Sequence, residues 1–449
     1  MRGDRFMDLM AFFMVSVPVI FLIVLVLARE KVTYIITAIS GILFLAFTLI
    51  AFAIPEPISF PVPSLLWRVI SLATVLFIFF RSVRDKQYML SVLTSVQALI
   101  VIVFETAELP AEPDFFLYPD FREKLLLLLG AVVVLSFLPF VIYLLKKHYK
   151  NEPGKIKRFG IGFLLLLSSF AGLISARSMT GLFLFWQWQY VAGYIFLKVY
   201  GVSGEKNSFH RAFPYLQQAV LTLFLAAGVI AYKLTGSLAM RDFFHGFGNL
   251  SELLALIIFV SALSMGLLIP ENYIPWLDPS RAVPAAGMYL AVFSLIVPYG
   301  VLSKFRTVFH NLNDSVISLM IIYSGILVFA GSYFALSNYR DRHSILNMIM
   351  SVSGLAVATV FKKLQSSIRF LSNNPLPMLM VIAGIVLTAA YIIMWISSMF
   401  ANTDEASEVN GEDAVTSLIP FNINFSMIIK ISYAATAALT LGVSLSCLK

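Results

Sequence analysis

Long apolar stretches separated by short polar ones dominate the pattern along the chain. Runs of about 18 to 24 apolar residues match the length at which a helix crosses a hydrocarbon core of roughly 30 Å. About fourteen such runs occur, at 9–28, 34–54, 65–80, 88–104, 125–145, 159–176, 180–199, 213–232, 250–270, 284–303, 315–336, 344–361, 376–400 and 424–448. They predict an all-α polytopic membrane protein with about 14 transmembrane helices. We expect the first run to stay in the mature chain, because it is too long for a cleaved signal peptide.

Composition supports an integral membrane protein. Hydrophobic residues make up 59% of the 449 residues and charged residues 12%, and the mean hydropathy is +0.89. The chain has one cysteine, Cys447, which cannot by itself hold an iron–sulfur cluster, so we expect no cofactor in this chain. The net charge of +8 comes from basic residues in loops. We therefore expect no nucleic acid and no soluble small-molecule substrate as partner.

Basic loops alternate with other loops in the first third of the chain. The basic positions are Arg29, Lys31, Arg81, Arg84, Lys86 and the segment 146–158, whereas the intervening segment 105–120 is acidic. Positive loops stay in the cytoplasm, so we expect the amino terminus outside and the chain in the cytoplasmic membrane. Past residue 300 the pattern reverses, with Lys304 and Arg306 on the outside. Either one span is miscounted or partner subunits override the charges.

Polar residues within the predicted spans have two interpretations each. Lys430 either snorkels to the interface or lines a solvated cavity. For Gln187 and Gln189, hydrogen bonding between helices is the favoured interpretation, and a place in an ion path is the other. Glu252 and Lys233 lie near predicted helix ends, where an interfacial position is the default.

Prolines interrupt several spans. Pro18, Pro139 and Pro298 each lie inside an apolar run, where proline frees backbone carbonyls and kinks a helix. The segment 270–275 begins and ends with proline. It predicts a broken helix or re-entrant turn near 264–284.

Several short motifs occur in a fixed order. They are the aromatic run at 185–194, Thr235-Gly236-Ser237, Trp276-Leu277-Asp278-Pro279, Arg340-Asp341-Arg342-His343 and Ser351-Val352-Ser353-Gly354. In order and spacing they resemble the antiporter-like subunits of respiratory complex I, Mrp antiporters and membrane-bound hydrogenases, over about residues 120 to 360. The resemblance implies a helical fold with inverted five-helix repeats and membrane subunits of a larger complex as partners.

Four positions depart from the pattern that the resemblance implies. Gln187 stands where the family carries its channel glutamate. Leu267 stands where the family's broken helix carries a lysine. Val292 and Pro298 stand where the next helix carries a histidine and a lysine. None of the four side chains can exchange a proton. The candidates that remain for an ion path are Lys430, Glu252 and Lys233.

The resemblance also predicts the division of the chain. Residues 1–120 would be added membrane helices, 121–310 the first antiporter-like repeat with its broken helix, and 311–449 a truncated second repeat with C-terminal helices. The added helices suggest a contact surface for neighbouring subunits, alongside the lipid bilayer.

These expectations lead to one interpretation with two alternatives. The chain is predicted to be an antiporter-like subunit of a complex I-related oxidoreductase, of the hydrogenase or sulfane reductase type. It docks neighbouring membrane subunits, and its own ion path is degenerate. By itself it is not expected to be catalytic. The first alternative is an active subunit that moves H⁺ or Na⁺ along a rerouted path through Lys430. The second, an enzyme acting on lipid-linked substrates, needs histidines beside the acidic segment 404–413, which contains none.

Overall fold

The computed structural model describes residues 2–28, 32–53, 60–61, 64–106, 116–117, 120–148, 152–200, 208–237, 240, 250–266, 294, 296–305, 308–309, 312–337 and 344–361. By its internal contacts the chain divides into two compact units, Met1–Ile317 and Ser318–Lys449. The division into 1–120, 121–310 and 311–449 stays a prediction.

The described residues form twelve helices and one pair of very short strands. The helices are α1 Arg2–Leu27, α2 Thr33–Ala53, α3 Ser64–Arg84, α4 Tyr88–Thr106, α5 Phe121–His148, α6 Pro153–Ser175, α7 Met179–Tyr200, α8 Ser208–Thr235, α9 Leu250–Met265, α10 Val297–Lys304, α11 Asp314–Ser337 and α12 Ser344–Ala358. Strands β1 Phe60–Pro61 and β2 Phe116–Leu117 pair antiparallel and join the segments that follow α2 and α4.

The prediction of an all-α membrane protein is confirmed. Four described helical segments are long and apolar enough to cross a membrane, namely Thr33–Ala53, Pro153–Ser175, Tyr215–Thr235 and Asp314–Ser337. The count of about 14 helices stays a prediction, because the predicted spans 376–400 and 424–448 lie outside the described residues.

Helix α6 forms the centre of the first unit. Its side chains are buried at nearly every position from Phe159 to Ser175, so it behaves as a helix surrounded by other helices and not as one with a lipid-facing side. Ser168 Oγ donates to the carbonyl of Val15 in α1 at 2.9 Å. Gly172 lies directly under the ring of Phe185 in α7, where a Cβ atom would stand 2.1 Å from the ring. This glycine sets how closely α6 and α7 approach.

The end of α8 explains the Thr235-Gly236-Ser237 motif. Gly236 has a φ of +69°, the left-handed conformation that glycine adopts without strain after the last helical residue. Its N–H donates to the carbonyl of Tyr232 at 2.8 Å. Ser237 N donates to Thr235 Oγ1 at 3.2 Å, so the motif ends the helix.

In the second unit, small residues bring α11 and α12 together. Ser332 and Ser351 share a hydrogen bond of 2.8 Å. A Cβ atom on Gly354 would lie 2.8 Å from the carbonyl of Ser324, and one on Gly331 would lie 2.5 Å from that of Asn347. Small residues allow this close approach, as is common between helices in membranes. Ser351 and Gly354 belong to the motif at 351–354, which therefore has a packing role.

Candidate functional site

Gln187 lies fully buried in a ring of three side-chain amides. We call Gln97 of α4, Gln187 of α7 and Gln218 of α8 the glutamine cluster; none of the three is exposed. Gln187 Nε2 donates to Gln97 Oε1 at 2.7 Å. Gln97 Nε2 donates to Gln218 Oε1 at 3.0 Å, and Gln218 Nε2 donates to Gln187 Oε1 at 3.0 Å. Gln187 Nε2 also donates to Gln218 Oε1 at 3.4 Å, so each amide both donates to and accepts from its neighbours in the ring.

Helix α8 completes the hydrogen bonding around the cluster. Gln97 Nε2 also donates to Thr222 Oγ1 at 2.9 Å and to the backbone carbonyl of Gln218 at 3.1 Å. Thr222 Oγ1 in turn donates to that same carbonyl at 2.7 Å. A buried polar group is tolerated when its hydrogen bonds are made. The cluster therefore holds α4, α7 and α8 together by neutral bonds.

A second set of amides holds the end of α9. Trp186 Nε1 donates to Gln217 Oε1 at 3.1 Å, and Gln217 Nε2 donates to the carbonyl of Ser264 at 2.9 Å. Gln189 Nε2 donates to the carbonyl of Met265, the last residue of the helix. Carbonyls at a helix end have no partner within the helix, so these two side chains take the place of the missing turn.

Polar atoms without a partner occur beside this helix end. Gln189 Oε1, Ser261 Oγ and Ser264 Oγ are buried and make no hydrogen bond within the described part of the chain. Unpaired buried atoms of this kind are where ordered water binds in proteins. The neighbourhood of the α9 end thus differs from the closed glutamine cluster.

The other positions implied by the resemblance do not join the cluster. Pro298 is buried in the first turn of α10, where proline is tolerated because its missing N–H needs no partner. Leu267, Val292 and Lys430 lie outside the described residues. Pro298, the one of these positions that the structure describes, carries no titratable side chain.

The helix-end candidates are far from the cluster. Lys233 is exposed in the last turn of α8, and Glu252 is half-buried in the first turn of α9. At 1.5 Å per residue, Lys233 lies about 22 Å along α8 from Gln218. Glu252 lies about 18 Å along α9 from Ser264, whose carbonyl binds Gln217, the residue before Gln218 in α8. Both separations are several hydrogen-bond lengths.

A group of four charges, two of them buried, lies where α5 begins and α6 and α10 end; the sequence analysis missed it. We call Asp120, Glu123, Arg177 and Lys304 the charge cluster. Glu123 N donates to Asp120 Oδ1 at 2.9 Å, and Asp120 N donates to Glu123 Oε2 at 3.0 Å, which is a capping box. Arg177 Nη2 donates to Glu123 Oε2 at 2.9 Å, and Lys304 Nζ lies 3.5 Å from Glu123 Oε1.

Lys304 also caps α6. Its Nζ donates to the carbonyl of Leu173 at 3.2 Å and to that of Ala176. The carboxyl end of a helix favours a cation at this position. Lys304 and Glu123 lie just outside the predicted spans 284–303 and 125–145. Burial lowers the pKa of Lys304 to about 8, and the nearby Glu123 carboxylate acts in the opposite direction. Burial raises the pKa of Glu123, opposed by Lys304 and Arg177.

The charge cluster corrects the interpretation of Lys304 as a loop charge. Its side chain is 2% exposed and paired with Glu123, so it adds no net charge to the loop that was predicted to lie outside. The positive-inside pattern concerns loop charges, and a neutralised lysine does not count against it. The spacing of Asp120 and Glu123 before an apolar run is a sequence signal for half of the cluster. The partner Lys304, far along the chain, gives none.

Comparison with known proteins supports the resemblance. No family model matches the chain. A curated relative of Staphylococcus epidermidis, named as an antiporter subunit, mnhA2, is 23% identical over 269 residues; the match covers 56% of this chain and 33% of the relative. The chain thus spans about a third of that relative's own length.

The fold has a counterpart among solved structures. A chain of the membrane-bound sulfane sulfur reductase, an archaeal respiratory membrane complex, superposes with a TM-score of 0.53 at 15% identity, covering 97% of this chain and 85% of that chain. A chain of the Mrp complex from Dietzia sp. DQ12-45-1b gives a TM-score of 0.44 at 13% identity, covering 84% of this chain and 45% of that chain. The sequence match and the first superposition confirm that this multi-pass membrane protein resembles the antiporter-like membrane subunits.

Proposed function

We propose that this chain is an antiporter-like subunit of a complex I-related membrane-bound oxidoreductase, of the hydrogenase or sulfane reductase type, in the cell membrane. It holds neighbouring membrane subunits in position and carries no ion through its first repeat, residues 121–310. The added helices of residues 1–120 supply part of the contact surface. The electron-transfer chemistry belongs to partner subunits.

The observation that carries this proposal is the closed glutamine cluster. An ion that crosses hydrocarbon needs side chains whose charge can change or compensate its own. Gln187 cannot ionise, and its donor and acceptor are both engaged by neighbouring amides. Glu252 and Lys233 are too far away to replace it. The position thus stabilises the packing of three helices and offers no proton-binding group.

Coupled transport by the intact complex tests the proposal. The variants are Gln187→Met and Gln97→Met, each breaking the same ring from a different helix. In inverted vesicles that contain the assembled complex, H⁺ and Na⁺ uptake per electron transferred should equal the wild-type value for both. If the amount of assembled complex falls equally in both variants, the result agrees with a ring that has only a structural role. A several-fold drop in uptake per electron for Gln187→Met alone, at normal assembly, would show that Gln187 takes part in conduction.

A second candidate function has its own supporting observation. The unpaired polar atoms of Gln189, Ser261 and Ser264 beside the α9 end are suited to bind water, which a rerouted H⁺ or Na⁺ path needs. Lys430 is the relay residue that the sequence offers for such a path. A relaying lysine must release its proton, whereas arginine stays charged at any working pH. Under the docking proposal Lys430→Arg keeps both uptake and electron transfer. If uptake stops while electron transfer continues, the subunit pumps and the docking proposal is wrong.

A further inference from the structure

A cavity of about 260 Å³ opens between α3, α4, α6 and α7, and no residue of the glutamine cluster lines it. It lies where α3 and α7 end and where α4 and α6 begin. Its polar lining includes Arg81, Gln87, Arg158 and Tyr194, and its apolar lining includes Phe77 and Ile195. We call it the basic cavity. Its volume is near the lower end of the roughly 300–1,000 Å³ typical of small-ligand sites, so it can enclose a headgroup but not a whole lipid.

The two arginines of the cavity keep donors available. Arg81 Nε binds Asp85 Oδ2 at 3.0 Å, but the Nη atoms of Arg81 bond to no other residue that the structure describes. Arg158 is exposed and makes no ion pair with a described residue. Guanidinium groups bind phosphate through paired hydrogen bonds and do so better than lysine. Two such groups from α3 and α6 therefore face one small space.

One carboxylate near the cavity is already engaged. Asp85 contacts Arg81, lies 3.8 Å from Arg84, and accepts a hydrogen bond of 3.4 Å from Tyr194 Oη. Together, Arg81, Arg84, Asp85 and Arg158 carry a net charge of +2. The excess positive charge favours an anionic ligand.

The apolar wall of the cavity reaches the outer surface of the helix bundle. Phe77 lines the cavity and is 61% exposed, and neighbouring outward positions on α3 and α4 are also apolar, namely Phe80, Met89 and Val92. An apolar surface of this kind on a membrane helix faces acyl chains. A headgroup in the cavity would thus leave its chains along the Phe77 side.

We propose that the basic cavity binds the phosphate headgroup of an anionic phospholipid, with Arg158 and the Nη atoms of Arg81 as the phosphate ligands. The same helix ends carry the loops that the sequence places in the cytoplasm, where anionic lipids are concentrated in the leaflet. Basic pockets between transmembrane helices on that side are a recurrent site for such headgroups. The site is independent of whether the subunit conducts ions.

The chain offers a matched control for the test. Arg158→Gln removes a proposed ligand, whereas Arg84→Gln removes the same charge at the same membrane face, from a side chain that is 68% exposed and does not line the cavity. The purified complex is placed in nanodiscs of phosphatidylcholine with increasing phosphatidylglycerol. Native mass spectrometry then counts the phosphatidylglycerol that stays bound, and size-exclusion chromatography checks assembly.

We expect Arg158→Gln to weaken phosphatidylglycerol binding by about tenfold or more, equivalent to about 1.4 kcal/mol, and Arg84→Gln to change it less than about twofold. Arg158→Lys should recover only part of the loss, because an ammonium cannot form the paired bonds. Equal losses in Arg158→Gln and Arg84→Gln would mean general surface attraction and overturn the site. Full displacement of the lipid by millimolar inorganic phosphate would also overturn it, since the site would then recognise free phosphate.

Discussion

The glutamine cluster predicts an unusual order of stability for substitutions at Gln187. Gln187→Met keeps the length of the side chain but removes a donor and an acceptor. It leaves Gln97 Oε1 and Gln218 Nε2 without their partners, which were 2.7 and 3.0 Å away. Each hydrogen bond between membrane helices contributes about 0.6 to 1.7 kcal/mol. The two together predict a loss of about 1 to 3 kcal/mol in the free energy of unfolding.

An acid at the same position should be milder than methionine. In Gln187→Glu, a protonated carboxyl can donate to Gln97 Oε1 and accept from Gln218 Nε2, so both ring bonds survive. A charged carboxylate would instead face Gln97 Oε1 with two acceptors and no donor. Burial disfavours that charged form. We therefore expect the acid to stay neutral, to cost less than about 1 kcal/mol, and to create no ion conduction.

Thermal unfolding of the purified complex, followed through tryptophan fluorescence at one protein concentration and one scan rate, measures the order. Trp186 and Trp188 flank the cluster and report its opening. The expected order is wild type, then Gln187→Glu, then Gln187→Met. The triple variant with methionine at Gln97, Gln187 and Gln218 should cost less than the sum of the three single variants, since it leaves no amide in the ring unpaired. Two results would show that the ring is not a cooperative hydrogen-bonded unit. One is a lower unfolding temperature for Gln187→Glu than for Gln187→Met, and the other is a triple variant whose destabilisation equals the sum of the three single variants.

Three further predictions concern other parts of the fold. Burial holds the pKa of Lys304 at about 8, below the 10.5 of an ordinary lysine. Between these two pH values the unfolded chain binds more protons than the folded chain, so the free energy of unfolding should rise with pH across that interval. Lys304→Met should lack this rise when unfolding is measured as a function of pH. Gly172→Ala should destabilise the chain by about 1 to 3 kcal/mol through overpacking against Phe185, whereas Gly228→Ala, whose Cβ would meet its nearest neighbour at 3.7 Å, should be near neutral in the same thermal assay. Expressed without its partners the chain should aggregate or be degraded, and a monodisperse monomer by size-exclusion chromatography would contradict a docking role.

Sequence reasoning predicted the helices well because hydrocarbon imposes a strong pattern. A run such as 34–54 has one stable form in a bilayer, and the structure has α2 at Thr33–Ala53. Helix ends were also readable where a residue has a local task, as Gly236 has after α8. The break near 264–284 was expected, and α9 ends at Met265; the residues that would show its continuation lie outside the described part.

The candidate site was only half readable, because its partners are distant along the chain. Gln187 could be identified by its place in a motif, but Gln97 and Gln218 are ordinary polar residues within their own spans. They become a site only when α4, α7 and α8 pack. The same holds for Glu123 and Lys304, which meet across α5 and α10.

The two clusters follow one rule about where polar groups can be buried in this protein. Neutral amides occupy the middle of the helices, where three side chains satisfy one another without a charge. The ionisable groups of the charge cluster lie at helix ends, where Asp120 and the carbonyls of α6 supply additional partners. Burying a charge is costly unless it is paired and hydrogen-bonded. An amide at position 187, where the resemblance implies a glutamate, needs no compensating charge at mid-helix. Under the docking proposal, this is how the subunit keeps an antiporter-like fold without an antiporter's ion path.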